Sequence, residues 1–407
     1  MHIYMAFREL SRPLTLLALF ALLCLPLPGR AADPAWQGAA FEGDRVALRK
    51  LADAGARVVR VYRERDAWVL DAAQTMGMKV VMGLWLGHPR HGFDYRDARL
   101  VAAQDARIVD FVRRYREHPA LVAWGIGNEI ETGVGDPRPL WNEVNRVAAL
   151  VKALDAKHPT VMVVADNSDA WLAPLAGCCP DIDILGLNLY GGSIFELPAR
   201  LQRLGIAKPV LVTELGPLGQ WQAGRKPWGA PVELTSTQKA DFFRDALAFV
   251  ARQPQIVAAF PFLWGEKQEQ TATWHSLLDV GRPTAMTDAL SAAWGRPPAD
   301  AAPRIAGIGI AADEFPAGGE VSAGVDAQSS DGSALKTEWT VWAEATDLRL
   351  GGDEEVVPPR IPVRLLHADA RSVRFVAPAV PGAYRLFITV TDRTGKVATA
   401  NLPFLVR

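Results

Sequence analysis

Between residues 57 and 264, short runs of β-branched and apolar residues alternate with longer segments whose apolar positions recur at helical spacing. A chain that keeps repeating strand and then helix builds a parallel sheet, because each crossover helix carries the chain back to start the next strand in the same direction. The strand-like runs are residues 57–62, 79–86, 121–126, 161–165, 182–187, 209–213 and 257–263. Between them, Leu140, Val144, Val147, Leu150, Val151 and Leu154 fall on one helical stripe. Thr235 stands three residues before Gln238 at the head of another helical segment, the spacing at which each side chain satisfies the other's backbone N–H. A helical stretch at 44–54 precedes all of these runs, so an eight-stranded barrel needs one more strand before it. The only room is at 34–41, where Ala35-Trp36-Gln37-Gly38-Ala39-Ala40-Phe41 is a poor strand. The expectation is an α/β fold, a (β/α)8 TIM barrel with a short or degenerate first strand. An open doubly wound sheet is the alternative, and the lack of a GxGxxG turn after any strand argues against its dinucleotide-binding form.

The two ends of the chain have a different texture. Arg8 and Arg12 precede an apolar run from Leu14 to Leu27, too short to span a bilayer comfortably, and Gly29-Arg30-Ala31 offers small residues for a signal peptidase. This reads as a signal peptide over 1–31 and a periplasmic or secreted protein with no stable membrane insertion after cleavage; a retained N-terminal anchor is the alternative. The barrel then occupies 32–295 and a Pro-rich linker 296–303. Residues 304–407 hold short strand-like runs separated by Gly, Pro and Asp turns, the texture of an immunoglobulin-like β-sandwich. The expected strands there include 320–327, 336–343, 372–377, 384–391 and 397–406. In the mature chain only Cys178 and Cys179 remain, read as two thiols in a loop, with a vicinal disulfide as the other possibility.

Charge and motif content exclude several classes of function. With 44 Lys+Arg against 45 Asp+Glu, and no local basic run, nothing neutralises a phosphate backbone, so nucleic acid is not an expected partner. No CxxC, HExxH or glycine-rich phosphate loop occurs, and His88 and His91 lack an evident third ligand, so no metal and no cofactor is expected. The chain also lacks the Gly-x-Ser-x-Gly elbow of an esterase.

Active sites of such barrels sit where strands end. The fourth strand ends Trp124-Gly125-Ile126-Gly127-Asn128-Glu129, and the seventh ends Val210-Leu211-Val212-Thr213-Glu214-Leu215-Gly216. Each puts a carboxylate at the mouth. Two facing carboxyls, one protonated and one ionised, are the equipment for cleaving a glycosidic bond.

In these two tips, within alternating strands and helices, the sequence resembles the clan A retaining glycoside hydrolases, whose catalytic domains are glucanase-like and β-galactosidase-like barrels. The resemblance covers roughly residues 34–295. It implies that Glu129 is the acid/base and Glu214 the nucleophile, and that Asn128 bonds the sugar 2-hydroxyl. Tyr190 matches a phenol that contacts the nucleophile, with Asn188 beside it in Leu187-Asn188-Leu189-Tyr190, and Trp264 matches an aromatic floor under the sugar. Arg60, on the second strand, is the expected partner of Glu214. Glu131 reads as a solvated loop charge or a sugar contact.

Indole rings stack on the C–H face of sugars, and Trp85, Trp171, Trp221, Trp228 and Trp274 fall in loops or at strand tips. Trp68, Trp124, Trp141 and Trp294 fit the core instead. The expected function is an exported retaining glycoside hydrolase or transglycosylase whose substrate is a carbohydrate, by default a β-glucan. A catalytically inactive carbohydrate-binding scaffold is the alternative.

Overall fold

A computed structural model describes residues 34–407, so the expected leader lies outside the described residues. The segment least like a strand in sequence forms β1 (Gly38–Glu42), which pairs in parallel with β2 (Val58–Val61), Gly38 to Val58 and Ala40 to Arg60. Its small residues are what the site admits: Ala39 and Ala40 are fully buried, and a Cβ at position 38 would lie 1.7 Å from the Val58 carbonyl oxygen. Close packing here outweighs weak strand propensity.

The ring continues through β3 (Lys79–Leu84), β4 (Leu121–Ile126), β5 (Thr160–Ala165), β6 (Ile184–Tyr190), β7 (Val210–Gly216) and β8 (Ile256–Pro261). Each is parallel to its neighbour, in the order of the sequence. Two residues after β8 the chain resumes as β9 (Trp264–Gly265), which pairs with Phe41 and Glu42 of β1. The eighth strand is thus broken in two, and its second piece closes the ring. This is a closed barrel, not an open sheet.

Helices α1 (Arg45–Asp53), α2 (Trp68–Thr75), α3 (Ala98–Tyr115), α4 (Arg138–Leu154), α5 (Asp169–Leu172), α6 (Ser193–Leu204), α7 (Ser236–Val250) and α8 (Ala285–Ala293) surround it. The α4 stripe is buried at Leu140, Val144, Val147 and Val151, and α7 begins with the reciprocal Thr235–Gln238 cap. Apolar side chains pack in two places, between strands and helices and inside the barrel. Trp124, Trp141 and Trp294 belong to the outer layer, where Trp68 is partly buried.

Beyond the barrel, a four-stranded and a five-stranded sheet share a separate apolar core around Val321, Phe375, Leu386 and Phe404. The strands Lys336–Ala343, Gly382–Thr391 and Val397–Val406 form the centre of the larger sheet. This β-sandwich is fixed to the barrel by buried polar contacts. Asn401 Nδ2 donates to Glu233 Oε2 at 2.6 Å, Arg385 Nη2 to the Pro231 carbonyl at 2.9 Å, and the backbone N–H of Thr399 to Ser236 Oγ at 2.9 Å. Glu233 is itself paired with the buried Lys239 at 2.6 Å.

The thiol reading of the cysteines is corrected: Cys178 and Cys179 form a vicinal disulfide, in the short connection between α5 and β6.

Candidate active site

Glu214 lies near the end of β7, buried, and three donors converge on its carboxylate. Oε1 accepts from Arg60 Nη1 at 3.1 Å and from the Tyr62 hydroxyl at 2.9 Å; Oε2 accepts from the Tyr190 hydroxyl at 2.7 Å. Arg60 is held in turn, since Nη1 also donates to the Thr213 carbonyl at 2.8 Å and Nη2 to Asn128 Oδ1 at 2.6 Å. Charge-assisted bonds of this kind are stronger than neutral ones, so the cluster fixes the carboxylate's orientation. Desolvation and the adjacent Glu214 charge raise the pKa values of both Tyr62 and Tyr190 well above the ordinary phenol value, which keeps them donors.

The glycine after Leu215 makes the Tyr190 contact possible. A Cβ at Gly216 would lie 2.4 Å from the Tyr190 ring. With no side chain there, the ring lies against β7 and its hydroxyl reaches back to Glu214. The third position of the Glu-Leu-Gly tip thus has a steric cause.

Glu129 follows β4 across Gly127 and Asn128, with its own φ at +48°, a left-handed conformation uncommon outside glycine. Its backbone N–H donates to the Val163 carbonyl at 3.0 Å, which ties the turn to β5. Its Oε1 accepts from Asn188 Nδ2 at 2.7 Å. The Asn188 amide is oriented by Thr213, whose hydroxyl donates to Asn188 Oδ1 at 2.7 Å. Burial, then the charge of Glu214, then that of Glu131 push the Glu129 carboxyl up to about 8, so it carries a proton at neutral pH.

The sequence-derived set separates cleanly. Arg60, Asn128, Glu129, Asn188, Tyr190 and Glu214 form one hydrogen-bonded network, and Trp85 and Trp221 line the same cleft, whose volume is about 930 Å³. Trp171 lines it as well. Trp264 does not. It is buried on β9 with its Nε1 donating to the Ala47 carbonyl of α1, because pairing with β1 turns its ring toward the helix layer; Phe262, in the break between β8 and β9, lines the cleft instead. Trp274 is buried too, its indole N–H donating to the Leu218 carbonyl, and Trp228 lies outside the cleft lining.

Glu131 is neither solvated nor placed for sugar: it is fully buried, accepting from the Ala165 backbone N–H at 2.8 Å and Asn167 Nδ2 at 3.0 Å. Burial raises its pKa to about 7. His88 stacks on Trp85 and lies against Arg90, and His91 bonds Asp353 of the sandwich domain. Among the described residues no group of three or more His, Cys, Asp or Glu side chains is arranged to hold a metal ion, and no helix is long and apolar enough to cross a membrane.

Sequence reasoning missed Tyr62, Phe262 and a stretch of the sandwich domain that also lines the cleft. Tyr62 had a signal: it stands two residues after Arg60, and alternation along a strand puts both on one face.

No family model matches the chain, and no curated protein sequence matches it. Solved structures do match. The chain is similar to Faecalibacterium prausnitzii beta-glucuronidase at 18% identity and a TM-score of 0.50, over 65% of this chain and 49% of that one. It is similar to a calcium-binding mutant of Bacteroides uniformis beta-glucuronidase 2 at 15% identity and a TM-score of 0.49, over 91% and 45%. A glycosyl hydrolase family 2 member from Bacteroides cellulosilyticus is similar at 13% identity and a TM-score of 0.45, over 90% and 61%. The chain spans about half the length of the first two of these structures. The likeness is one of fold.

Proposed function

We propose that the protein is an exported retaining glycoside hydrolase or transglycosylase, acting on a polysaccharide or oligosaccharide, by default a β-glucan, through double displacement. The observation that supports this most is the contrast between two carboxyls at one barrel mouth. Glu129 is held as an acid by burial and a neighbouring charge, while Glu214 receives three donors, the surroundings that suit an anionic nucleophile.

In the first step Glu214 attacks the anomeric carbon, the bond from that carbon to the leaving oxygen breaks, and Glu129 gives its proton to that oxygen. The product is a glycosyl ester on Glu214. In the second step Glu129, now a carboxylate, takes a proton from water or from a sugar hydroxyl as its oxygen attacks the same carbon. Glu214 departs with the electron pair, and two inversions leave the configuration retained. Arg60 couples the halves of the site, since one guanidinium bonds both Glu214 and Asn128 Oδ1. With that oxygen occupied, the Asn128 amide NH₂ is the group left to meet the sugar 2-hydroxyl.

The test is covalent trapping with 2-deoxy-2-fluoro aryl β-glycosides of the gluco, galacto, manno and glucurono series. One of them should inactivate the enzyme and add its glycosyl mass to the peptide that carries Glu214, and Glu214→Ala should take no label. No labelling and no turnover across the whole panel would overturn the reading.

A further inference from the structure

The sandwich domain reaches into the cleft. The connection between its strands Lys336–Ala343 and Arg360–Ile361 leaves the sandwich, and its tip lies over the barrel mouth, where Leu348, Leu350 and Val357 line the cleft with the barrel residues. It is anchored on both sides. On the β3 side, Asp353 accepts from Arg90 Nη2 at 3.0 Å and bonds His91 Nε2 at 2.7 Å. On the β8 side, Lys267 Nζ donates to the Gly352 carbonyl at 2.6 Å, and the backbone N–H of Gln270 donates to Glu355 Oε2 at 2.6 Å.

The tip is built for this placement. Gly351 and Gly352 have φ of +65° and +70°, and a Cβ on Gly351 would lie 3.0 Å from the Arg90 guanidinium. Glu355 is buried and also accepts from the Arg349 backbone N–H at 3.1 Å, and the Val356 N–H donates to Asp347 at 3.0 Å. The segment is thus braced internally as well as anchored.

We propose that residues 344–359 form a bridge that bars one side of the cleft, so that only the end of a glycan, or a short oligosaccharide, reaches Glu129 and Glu214. This rests on the glycosidase reading above. Between the two anchors lie the mouths of β1 and β2, and a polymer threaded through the cleft in that direction would meet the bridge. The side over β5 and β7 carries Trp171 and Trp221 instead, and Trp221 is 54% exposed, a stacking surface for the rest of the chain. A volume of about 930 Å³ leaves room for an oligosaccharide.

The experiment compares wild type with two variants, Asp353→Ala and replacement of residues 348–354 by Gly-Ser-Gly. Each is given soluble β-glucan, β-mannan and β-galactan and the matching oligosaccharides, and viscosity loss is divided by reducing ends released. That ratio does not depend on how fast a variant works, and labelling of Glu214 by the fluoroglycoside shows that its site is folded. Wild type should release short products from chain ends with little loss of viscosity, or turn over oligosaccharides alone. The shortened variant, or Asp353→Ala if the former takes no label, should raise the ratio several-fold or accept longer chains. Internal cleavage by wild type, or a labelled shortened variant with the wild-type pattern, would overturn the bridge. Failure of every fluoroglycoside to label wild type, together with no turnover of any glycan or oligosaccharide, strikes the glycosidase reading instead.

Discussion

Removing one oxygen, Tyr190→Phe, tests whether the donors around Glu214 act in the reaction. The ring would stay in place, since it lies against Gly216 and makes edge contacts with Trp221 at 5.1 Å and His275 at 5.4 Å, none of which needs the hydroxyl. What is lost is the 2.7 Å bond to Glu214 Oε2, while Oε1 keeps Arg60 and Tyr62. A hydrogen bond to a charged group contributes about 1.5–3 kcal/mol. The bond matters most when Glu214 regains its charge as it leaves the anomeric carbon, so its loss should fall on the second step. At about 1.4 kcal/mol per tenfold, that is a roughly 10- to 150-fold loss in rate. With a dinitrophenyl glycoside, whose first step is fast, kcat should drop by that factor and KM should fall as the glycosyl-enzyme accumulates. Rapid-quench kinetics should show a full burst of dinitrophenolate followed by a slow steady state. A kcat within about twofold of wild type, or a loss carried entirely by kcat/KM with no burst, would refute the assignment of this phenol to the departing nucleophile.

Other outcomes follow from the same geometry. Since Glu129 must begin protonated, kcat/KM on substrates with poor leaving groups should decline above about pH 8, as a pH–rate profile would show. Its folded value lies above the ordinary 4.5, so its contribution to stability is complete below that pH and lost as pH rises toward about 8; Glu129→Gln should therefore melt above wild type at pH 9 and level with it at pH 4. Glu129→Ala should keep a fast first step on dinitrophenyl glycosides and regain turnover with azide, giving a glycosyl azide of retained configuration by NMR. A crystal structure should place the carboxyl groups of Glu129 and Glu214 roughly 5–5.5 Å apart, the spacing of a retaining pair. N-terminal sequencing of the exported protein should begin near Ala32.

Strand–helix alternation made most of the barrel legible, because each period of the pattern matched one buried face. β1 was located by counting strands rather than by propensity: Gly38, Ala39 and Ala40 have little intrinsic preference for a strand, and pairing with β2 makes them one. The carboxyl pair was legible because strand tips in such a barrel converge whatever the loops do. Trp264 misled, since a strand broken at residues 262 and 263 changes which side chain faces the mouth, and that break has no signature in composition. Glu131 misled for a related reason. A charged residue in a loop reads as solvated, yet the turn at Glu129 folds it inward onto the Ala165 N–H. The sandwich residues in the cleft were beyond local reading, since nothing near Gly351 in sequence points to Arg90 in the third βα unit.

The two-residue β9 also sets an order of events for a chain made from its N-terminus. Until Trp264 and Gly265 have emerged, Phe41 and Glu42 present unpaired backbone groups along an open edge, the kind of edge that pairs with other chains. Both glutamates have been synthesised well before that moment, but they stand at the tips of a sheet not yet sealed into a ring. A nascent chain that stalls short of this seam therefore has both glutamates on a sheet whose first edge is still open, and that edge is what exposes it to pairing with other chains.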